Sequence, residues 1–513
     1  MTTDASKSLP MRPMPALPGA YEQLELRHAR LSRFDHLGAM LDWDRLVNLP
    51  AGSGASRAAA LAELESLIHG LRSDPALGDL LDRAEQETLD PAQRANLREM
   101  RRQWCLGQAL PADLIEARAH ATVACERAWR ERRSAQGGRG DWDGYLPLWQ
   151  EVVRLARIEA ACLSEALGLR PYDALMQRFE PGMTTAELER LFADLRGWLP
   201  GLLRRVRQHQ ADWPVDPPEP VGVGREAQLR LHRAVMGWLG FDFERGRLDE
   251  SAHPCTCGVP DDVRLTTRLQ TGRVIDNLLA TIHETGHALY EQHLPLRWRG
   301  QPVGRARSMA IHESQSLLFE MQLTRHPAVI AVLSRLITAH LGEHPAWMPE
   351  ALQRRLLRLS TGLIRTEADE ISYPAHVMLR YEIERDLIES RIEPEDVPAL
   401  WNEGLARYFE VDPQAHPGSG PMQDVHWSEG LFGYFPCYAV GAIAAAQWRA
   451  AMSGQPDIDT ALNQAELTPL RHWLDRSVWS QASLLGTAEL YRQASGTDLD
   501  SSHYRMHLER RYL

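Results

Sequence analysis

The chain has 513 residues, 44% hydrophobic and 25% charged, with a formal net charge of −12 at pH 7. That length holds two or three ordinary domains or one large helical body with a substantial core. The acidic balance argues against a nucleic-acid or anionic-membrane surface, since both need a basic footprint, and favours small or peptide partners.

Residues 1–20 are rich in Pro, Ser and Met without the apolar run of a signal peptide, and read as a flexible tail. From about Tyr21 to Gln210 apolar residues recur at spacings of three and four, clearest over Ala55–Gly70 and Pro91–Gln108, which predicts helices. Pro214–Gly224 breaks that pattern and predicts a linker or surface loop. Helices then resume, interrupted over Asp249–Thr266 by an irregular stretch suited to a short sheet or to site loops. No segment offers the run of about eighteen uncharged apolar residues that a membrane span needs. Cys105, Cys125, Cys162, Cys255, Cys257 and Cys437 form no disulfide framework and fit a reducing, cytoplasmic setting.

Thr281–Tyr290 carries the pattern H-E-x-x-H. His283 and His287 fall one turn apart on one helix face, so both imidazoles reach one divalent ion. Glu284 between them is placed to take a proton from water activated there. The short pattern also arises by chance on solvated helices. The apolar flanks Ile282, Ala288 and Leu289 instead predict a buried helix, where unpaired polar groups are costly.

A catalytic zinc site needs a third protein ligand and an open position. Ile311-His312-Glu313-Ser314-Gln315 offers two candidates, and neighbours on a helix point about 100° apart, so only one faces the metal. Glu313 is favoured and His312 competes. Met309–Leu323, Ala351–Glu389 and Gly441–Ser453 read as helices, and Pro417–Trp427 and Phe432–Pro436 as loops. The expected architecture is mainly α with a minor β element, residues 21–513 forming a single catalytic domain.

Three further motifs follow one another along the chain: Asp262-Val-Arg264-Leu-Thr266 (D-x-R-x-T), Ile364-Arg365-Thr-Glu-Ala368-Asp369 (I-R-x-x-A-D) and Gly420-Pro-Met-Gln423-Asp424-Val-His426-Trp427 (G-x-x-Q-D-x-H-W). With H-E-x-x-H and H-E-S-Q they make the sequence resemble the carboxypeptidase Taq family of metallocarboxypeptidases over most of its length. Leu41-Asp-Trp43-Asp44 matches the family's early tryptophan-aspartate segment. One motif departs: the family's H-P-F stands here as His253-Pro254-Cys255, a small thiol in place of an aromatic wall. That is read as a change in local packing, with an altered substrate pocket as the alternative. A second metal site from His253, Cys255 and Cys257 would lack a fourth ligand.

The resemblance implies a large helical, neurolysin-like metallopeptidase fold with a central substrate groove, a homodimer, and metal-dependent removal of single residues from peptides with a free C-terminus. It implies one divalent ion per subunit on His283, His287 and Glu313, with Glu284 as general base. Zinc is the expected ion, and the ligand set also accepts cobalt or manganese.

Arg365 and Arg264, in matching motifs, are the candidates for gripping the terminal carboxylate, which planar arginine does through paired hydrogen bonds. His253, Gln423 and Asp424 join them as substrate-binding residues by motif membership. His426 and Tyr434 are candidate donors to the developing oxyanion. Tyr434 is chosen because Gly433-Tyr-Phe-Pro436 resembles a tyrosine-bearing loop of related helical metallopeptidases; a structural tyrosine is the competing reading. Glu382 and Glu384 would orient the ligand histidines or make ordinary salt bridges. Two other functions compete: an oligopeptidase or dipeptidase on the same metal centre, and a non-catalytic peptide-binding scaffold, against which Glu284 speaks because a scaffold needs no base.

Overall fold

Capping chemistry sets several helix boundaries. Asp90 and Thr184 each accept from the backbone N–H three residues on, at 2.8 and 3.3 Å, while the side chains of Gln93 and Glu187 reach back to the cap N–H groups, both at 2.9 Å. These reciprocal pairs satisfy donors the first helical turn leaves free, and they open the helices Pro91–Gln108 and Thr185–His209. The structure is a computed structural model describing residues 18–50, 52–133, 140–360, 362–412 and 416–513. Most of the expected tail, residues 1–17, lies outside the described residues. Pro18 and Gly19 lead directly into the helix Ala20–Val47.

The architecture is mainly helical, with one three-stranded sheet among the described residues. A continuous apolar core runs from Cys125 to Tyr512, and a smaller one, including Leu24, Leu77, Leu80 and Met100, joins the N-terminal helices. The stretch expected to be irregular supplies the sheet: β1 Gly246–Glu250, β2 Thr256–Val259 and β3 Asp262–Thr267. β3 lies in the middle, parallel to β1 and antiparallel to β2.

Strand alternation then divides the sheet's residues between two faces. Val263 and Leu265 pack with Ala288 of the helix Val274–His293. Arg264 points the other way, with its guanidinium 4.6 Å from the ring of Trp43 on Ala20–Val47. Thr256 pairs with Leu265 and shares its face, so its hydroxyl looks toward the helix that carries H-E-x-x-H.

One loop expectation holds and two helix expectations change. Pro214–Gly224 is non-helical as expected, yet it is tied down: Asp216 pairs with Arg354 and Arg358, and Glu219 with Arg355. Ala351–Glu389 is not one helix. Helices run over Pro349–Leu357 and Tyr373–Ile388, separated by a half-buried connection with a 3-10 turn at Arg365–Glu367. Asp369 explains the break, because its Oδ1 accepts from the N–H groups of Ile371 and Ser372 and its Oδ2 from Ser360 N–H. A short acidic side chain that takes backbone donors competes with helix continuation. Met309–Leu323 is α-helical to Leu317 and widens to a π-helical turn over Leu318–Leu323.

Candidate metal centre

Burial around almost the whole circumference of Val274–His293 makes it the central helix; Thr281, Ile282, Glu284, Thr285, Ala288, Leu289 and Tyr290 are all buried. Gly286, inside H-E-T-G-H, lets Met309–Leu317 come close: a Cβ there would lie 2.6 Å from Ser316 Cα and 2.7 Å from Gln315 O. On the other side of Met309–Leu317, Gly441 of the helix Pro436–Met452 leaves room for Glu313, whose Cβ and Cγ would each lie 2.8 Å from an added methyl. Glycine at both contacts brings three helices together at Glu313.

One ligand atom from each of His283, His287 and Glu313 lies within 4.8 Å of the others. Glu313 Oε2 is 3.5 Å from His287 Nε2 and 3.9 Å from His283 Nε2. Tetrahedral ligands bound at 2.0–2.1 Å stand about 3.4 Å apart. The hydrogen bonds behind the imidazoles define their tautomers. Glu291 Oε1 lies 2.9 Å from His312 Nε2 and accepts its proton, which leaves His312 Nδ1 as the acceptor for His287 Nδ1–H at 2.6 Å. Glu320 Oε2 accepts from His283 Nδ1 at 2.9 Å. In each ring Nδ1 is engaged from behind and Nε2 faces Glu313, so the neutral form of each offers its Nε2 lone pair to a divalent cation.

The electrostatics agree. Burial works against a charged His283, but Glu313 and then Glu320 outweigh it and push its pKa up to about 10, so without a metal a proton supplies the positive charge the carboxylates need. His287 is pushed down to about 4, first by burial and then by the neighbouring histidines, despite its bond to Glu313. His312 thus stands behind His287 rather than in the cluster.

Glu284 is buried, and burial raises its carboxyl above the usual range. Its Oε2 accepts from Thr256 Oγ1 at 2.6 Å, so β2 fixes its orientation. On the far side of the cluster, Tyr373 donates to Glu313 Oε1 at 3.4 Å, and His426 Nε2 is 3.0 Å from Tyr438 Oη. Burial and then Arg365 hold His426 down at about 3, so its ring is neutral, and its Nδ1 is buried without a hydrogen-bond partner. Tyr434 stands edge-on to Phe179 with centroids 5.1 Å apart, and 5.4 Å from Tyr438.

The residues expected to bind substrate fare differently. Arg264 is not brought to the cluster: it lies on the opposite sheet face from Glu284's partner Thr256, and Asp262 takes its Nε and Nη2 at 2.9 and 3.1 Å. His253 sits exposed on the turn before β2. Gln423 spends its amide on the carbonyls of Leu363 and Ser419 and its oxygen on Arg365 N–H and Arg380. Asp424 is buried between Arg365 and Arg380. Gln423 and Asp424 are therefore struts of the site wall.

Arg365 is also buried, with Nε and Nη2 on Asp424 Oδ1 and its Cζ 4.6 Å from the Tyr438 centroid. Neither Glu382 nor Glu384 reaches a ligand histidine. Glu382 pairs with Arg196 and Arg407, while Glu384 accepts from Trp427 Nε1, Tyr172 Oη and Gly433 N–H, tying together the loops that carry His426 and Tyr434. His253, Cys255 and Cys257 form no metal-type cluster among the described residues. A separate cavity of about 990 Å³, lined by Arg102, Glu180, Arg190 and Arg307, includes none of the three candidate ligands.

Sequence reasoning missed Thr256, Glu291, Glu320, Tyr373 and Tyr438. Only Glu320 carried a usable signal, because seven residues after Glu313 is two helical turns along the same face.

The sequence profile of the carboxypeptidase Taq (M32) metallopeptidase family matches residues 23–512. A thermostable carboxypeptidase 1 from Thermus thermophilus is 34% identical over 512 residues, covering 96% of this chain and 98% of the relative. Among solved structures, metallocarboxypeptidase 1 of Trypanosoma cruzi superposes with a TM-score of 0.91 at 40% identity, covering 96% of this chain and 99% of the other. A Pyrococcus furiosus carboxypeptidase gives 0.90 at 29% identity, over 97% and 100%.

Proposed function

This chain belongs to the carboxypeptidase Taq (M32) family of metallopeptidases, and from that premise we propose that its metal-dependent carboxypeptidase reaction is run by His283, His287 and Glu313 as metal ligands with Glu284 as general base. The observation that carries the assignment is the convergence of two imidazole nitrogens, each Nε2 facing Glu313, and one carboxylate oxygen within 4.8 Å. When bound, a divalent ion there supplies Lewis acidity that polarises the scissile carbonyl and acidifies water. Two histidines and a glutamate suit Zn²⁺, and Co²⁺ or Mn²⁺ fill the same set.

Glu284 takes the proton of the attacking water and returns it to the leaving amine. Thr256 holds Oε2 in place, which leaves Oε1 for that transfer. His426 and Tyr434 are the donors for the oxyanion, with Tyr438 fixing the His426 ring through Nε2.

Arg365 receives the substrate's free carboxylate. Two guanidinium groups share the single carboxylate of Asp424, so the buried trio keeps one unit of positive charge. Arg365 Nη1 has no hydrogen-bond partner among the described residues, and Arg365 lowers the pKa of Glu313, which sets that charge close to the ligands.

One catalytic domain over residues 21–513 is part of the proposal: the N-terminal helices keep a smaller core of their own, and the buried bonds Arg307–Glu99 and Asn96–Gln301 tie them to the main one. A homodimer is part of the same proposal. All six cysteines are free and no described helix is long and apolar enough to cross a membrane, which supports a cytoplasmic site of action. The test is a mixed peptide pool incubated with metal-loaded protein and followed by mass spectrometry. A ladder losing one C-terminal residue at a time is expected; internal cleavage would transfer the assignment to an oligopeptidase.

A further inference from the structure

The π-helical turn Leu318–Leu323 ends a buried helix, and its last carbonyls have no following helical turn to bond. Met321, Gln322 and Leu323 are buried, so water is a poor substitute. Two guanidinium groups take the task. Arg325 Nη1 donates to Glu320 O at 2.9 Å. Arg511, in the C-terminal helix Ser502–Tyr512, donates from Nη1 to Met321 O at 2.5 Å and from Nη2 to Gln322 O at 2.8 Å. Cations at a helix C-terminus also complement its partial negative charge.

Glu320 belongs to that turn, and its Oε2 accepts from His283 Nδ1 at 2.9 Å. Arg511 is itself aimed: its Nη1 also lies 3.1 Å from Glu370 Oε2, in a carboxylate that further accepts from His507, Tyr512 and Gln322. A continuous path therefore runs from the end of the chain to the back of a ligand ring.

We propose that Arg511 is a positioning residue for the metal centre: by holding the carbonyls of Met321 and Gln322 it fixes Glu320 against His283 Nδ1, and so sets metal affinity from the C-terminal helix. The inference rests on His283 being a metal ligand. Removing Arg511 leaves two buried carbonyls unsatisfied, and the turn must shift to recover partners. Glu320 moves with it, and His283 loses the acceptor that fixes its ring and raises its basicity.

The experiment is metal binding by the full-length apoprotein, measured by competition with a chromogenic chelator for Zn²⁺ and by the visible spectrum of the Co²⁺ form. Loss of a bond behind a ligand histidine costs roughly 10- to 100-fold in metal affinity, which is the expectation for Glu320→Gln. Arg511→Met should weaken binding by about tenfold, at the low end of that range. Combining the two should be no worse than Glu320→Gln alone, because both act through one contact.

Arg511→Lys keeps the charge but cannot span two carbonyls, so it should weaken binding in the same direction even if the methionine variant folds poorly. Arg505→Met, on the same helix but half exposed beside Glu509 and away from Glu370, should bind metal as the wild type does. Wild-type affinity and Co²⁺ spectrum in both Arg511 variants, or additive losses in the double variant, would overturn the proposal. Metal retained in His283→Ala would instead remove the ligand assignment beneath it.

Discussion

Arg365 and Asp424 make a buried contact in which Nε and Nη2 lie 2.9 and 2.8 Å from the same carboxylate oxygen, Oδ1. Arg380 takes the other oxygen, with Nη2 at 2.6 Å and Nε at 2.7 Å. This trio joins the 3-10 turn at Arg365–Glu367, the helix Tyr373–Ile388 and the loop leading to His426. A segment that looks like substrate-binding chemistry in the sequence is thus the wall that sets where Arg365 and His426 stand.

Replacing Asp424 by Asn should therefore act first on stability. It strands two buried guanidinium groups, and breaking a buried pair from one side costs about 3–5 kcal/mol. The pH dependence has a definite sign. Burial opposes the charged carboxylate, but Arg365 and then Arg380 outweigh it and hold Asp424 well below the usual range. A depressed folded pKa contributes stability that is present above the unfolded value of about 3.9 and is lost as pH falls below it. Urea unfolding from pH 7 downward should show the gap between wild type and Asp424→Asn narrowing below about pH 4. A gap independent of pH would mean that the trio's charge is not what holds the wall.

Glu284→Gln should keep fold and metal while losing about 10²- to 10⁴-fold in turnover, because the amide cannot accept the water's proton. Thr256→Val should cost about tenfold or less, the scale of one hydrogen bond, with metal content unchanged. Turnover of half the wild-type value in Glu284→Gln would show that another group activates the water.

Legibility followed the range of the interaction. The H-E-x-x-H pair could be read because a spacing of four fixes two side chains on one helix face without reference to the rest of the chain. Helix geometry lets only one of Glu313 and His312 face the histidine pair, and it is His312 that stands aside, behind His287. Thr256 is invisible as a partner because its contact crosses from strand to helix over 28 residues, whereas Glu320 shares a helix face with Glu313 and only its partner, 37 residues away, is hidden. Arg264 and Arg365 stand in motifs of equal appearance, and only strand alternation and burial separate them. The break inside Ala351–Glu389 is hidden because it comes from Asp369 taking the backbone donors of Ile371 and Ser372, a local hydrogen-bond choice that leaves the apolar spacing on either side unchanged.

Metal removal should destabilise the protein by mass action. Restoring the ion at a hundred times its dissociation constant returns about 2.7 kcal/mol, visible as a rise in Tm. A His283→Ala, His287→Ala double variant should bind no metal by elemental analysis and show no such rise. Full occupancy in that variant would sink the ligand assignment.

Gly286→Ala tests how the ligands are brought together. The new methyl meets backbone, at 2.6 Å from Ser316 Cα, which no side-chain rotation relieves. The helices must part, at a cost of about 1–3 kcal/mol for overpacking. Glu313 travels with Ser316, so chelator competition should show weakened metal binding alongside the lowered urea midpoint. Wild-type affinity in a destabilised variant would mean that Glu313 adjusts independently of its helix.

The direction of attack rests on Arg365. If its Nη1 meets the substrate's free carboxylate, peptides with an amidated C-terminus should already be poor substrates for the wild type. Alanine at this position would also strand Asp424, so Arg365→Lys is the better probe: it keeps the positive charge beside Asp424 and loses the planar fork that spans two acceptors. A charge-assisted bond is worth roughly 1.5–3 kcal/mol, so kcat/KM for the free acid should fall by about ten- to a hundredfold. The amide never made the ion pair and should change little. Measuring both peptides against both proteins gives a double-mutant style cycle in which the coupling between residue and carboxylate is read directly. Equal losses on acid and amide would make Arg365 a structural residue only, and efficient cleavage of the amide by the wild type would favour an oligopeptidase that has no need of a free C-terminus.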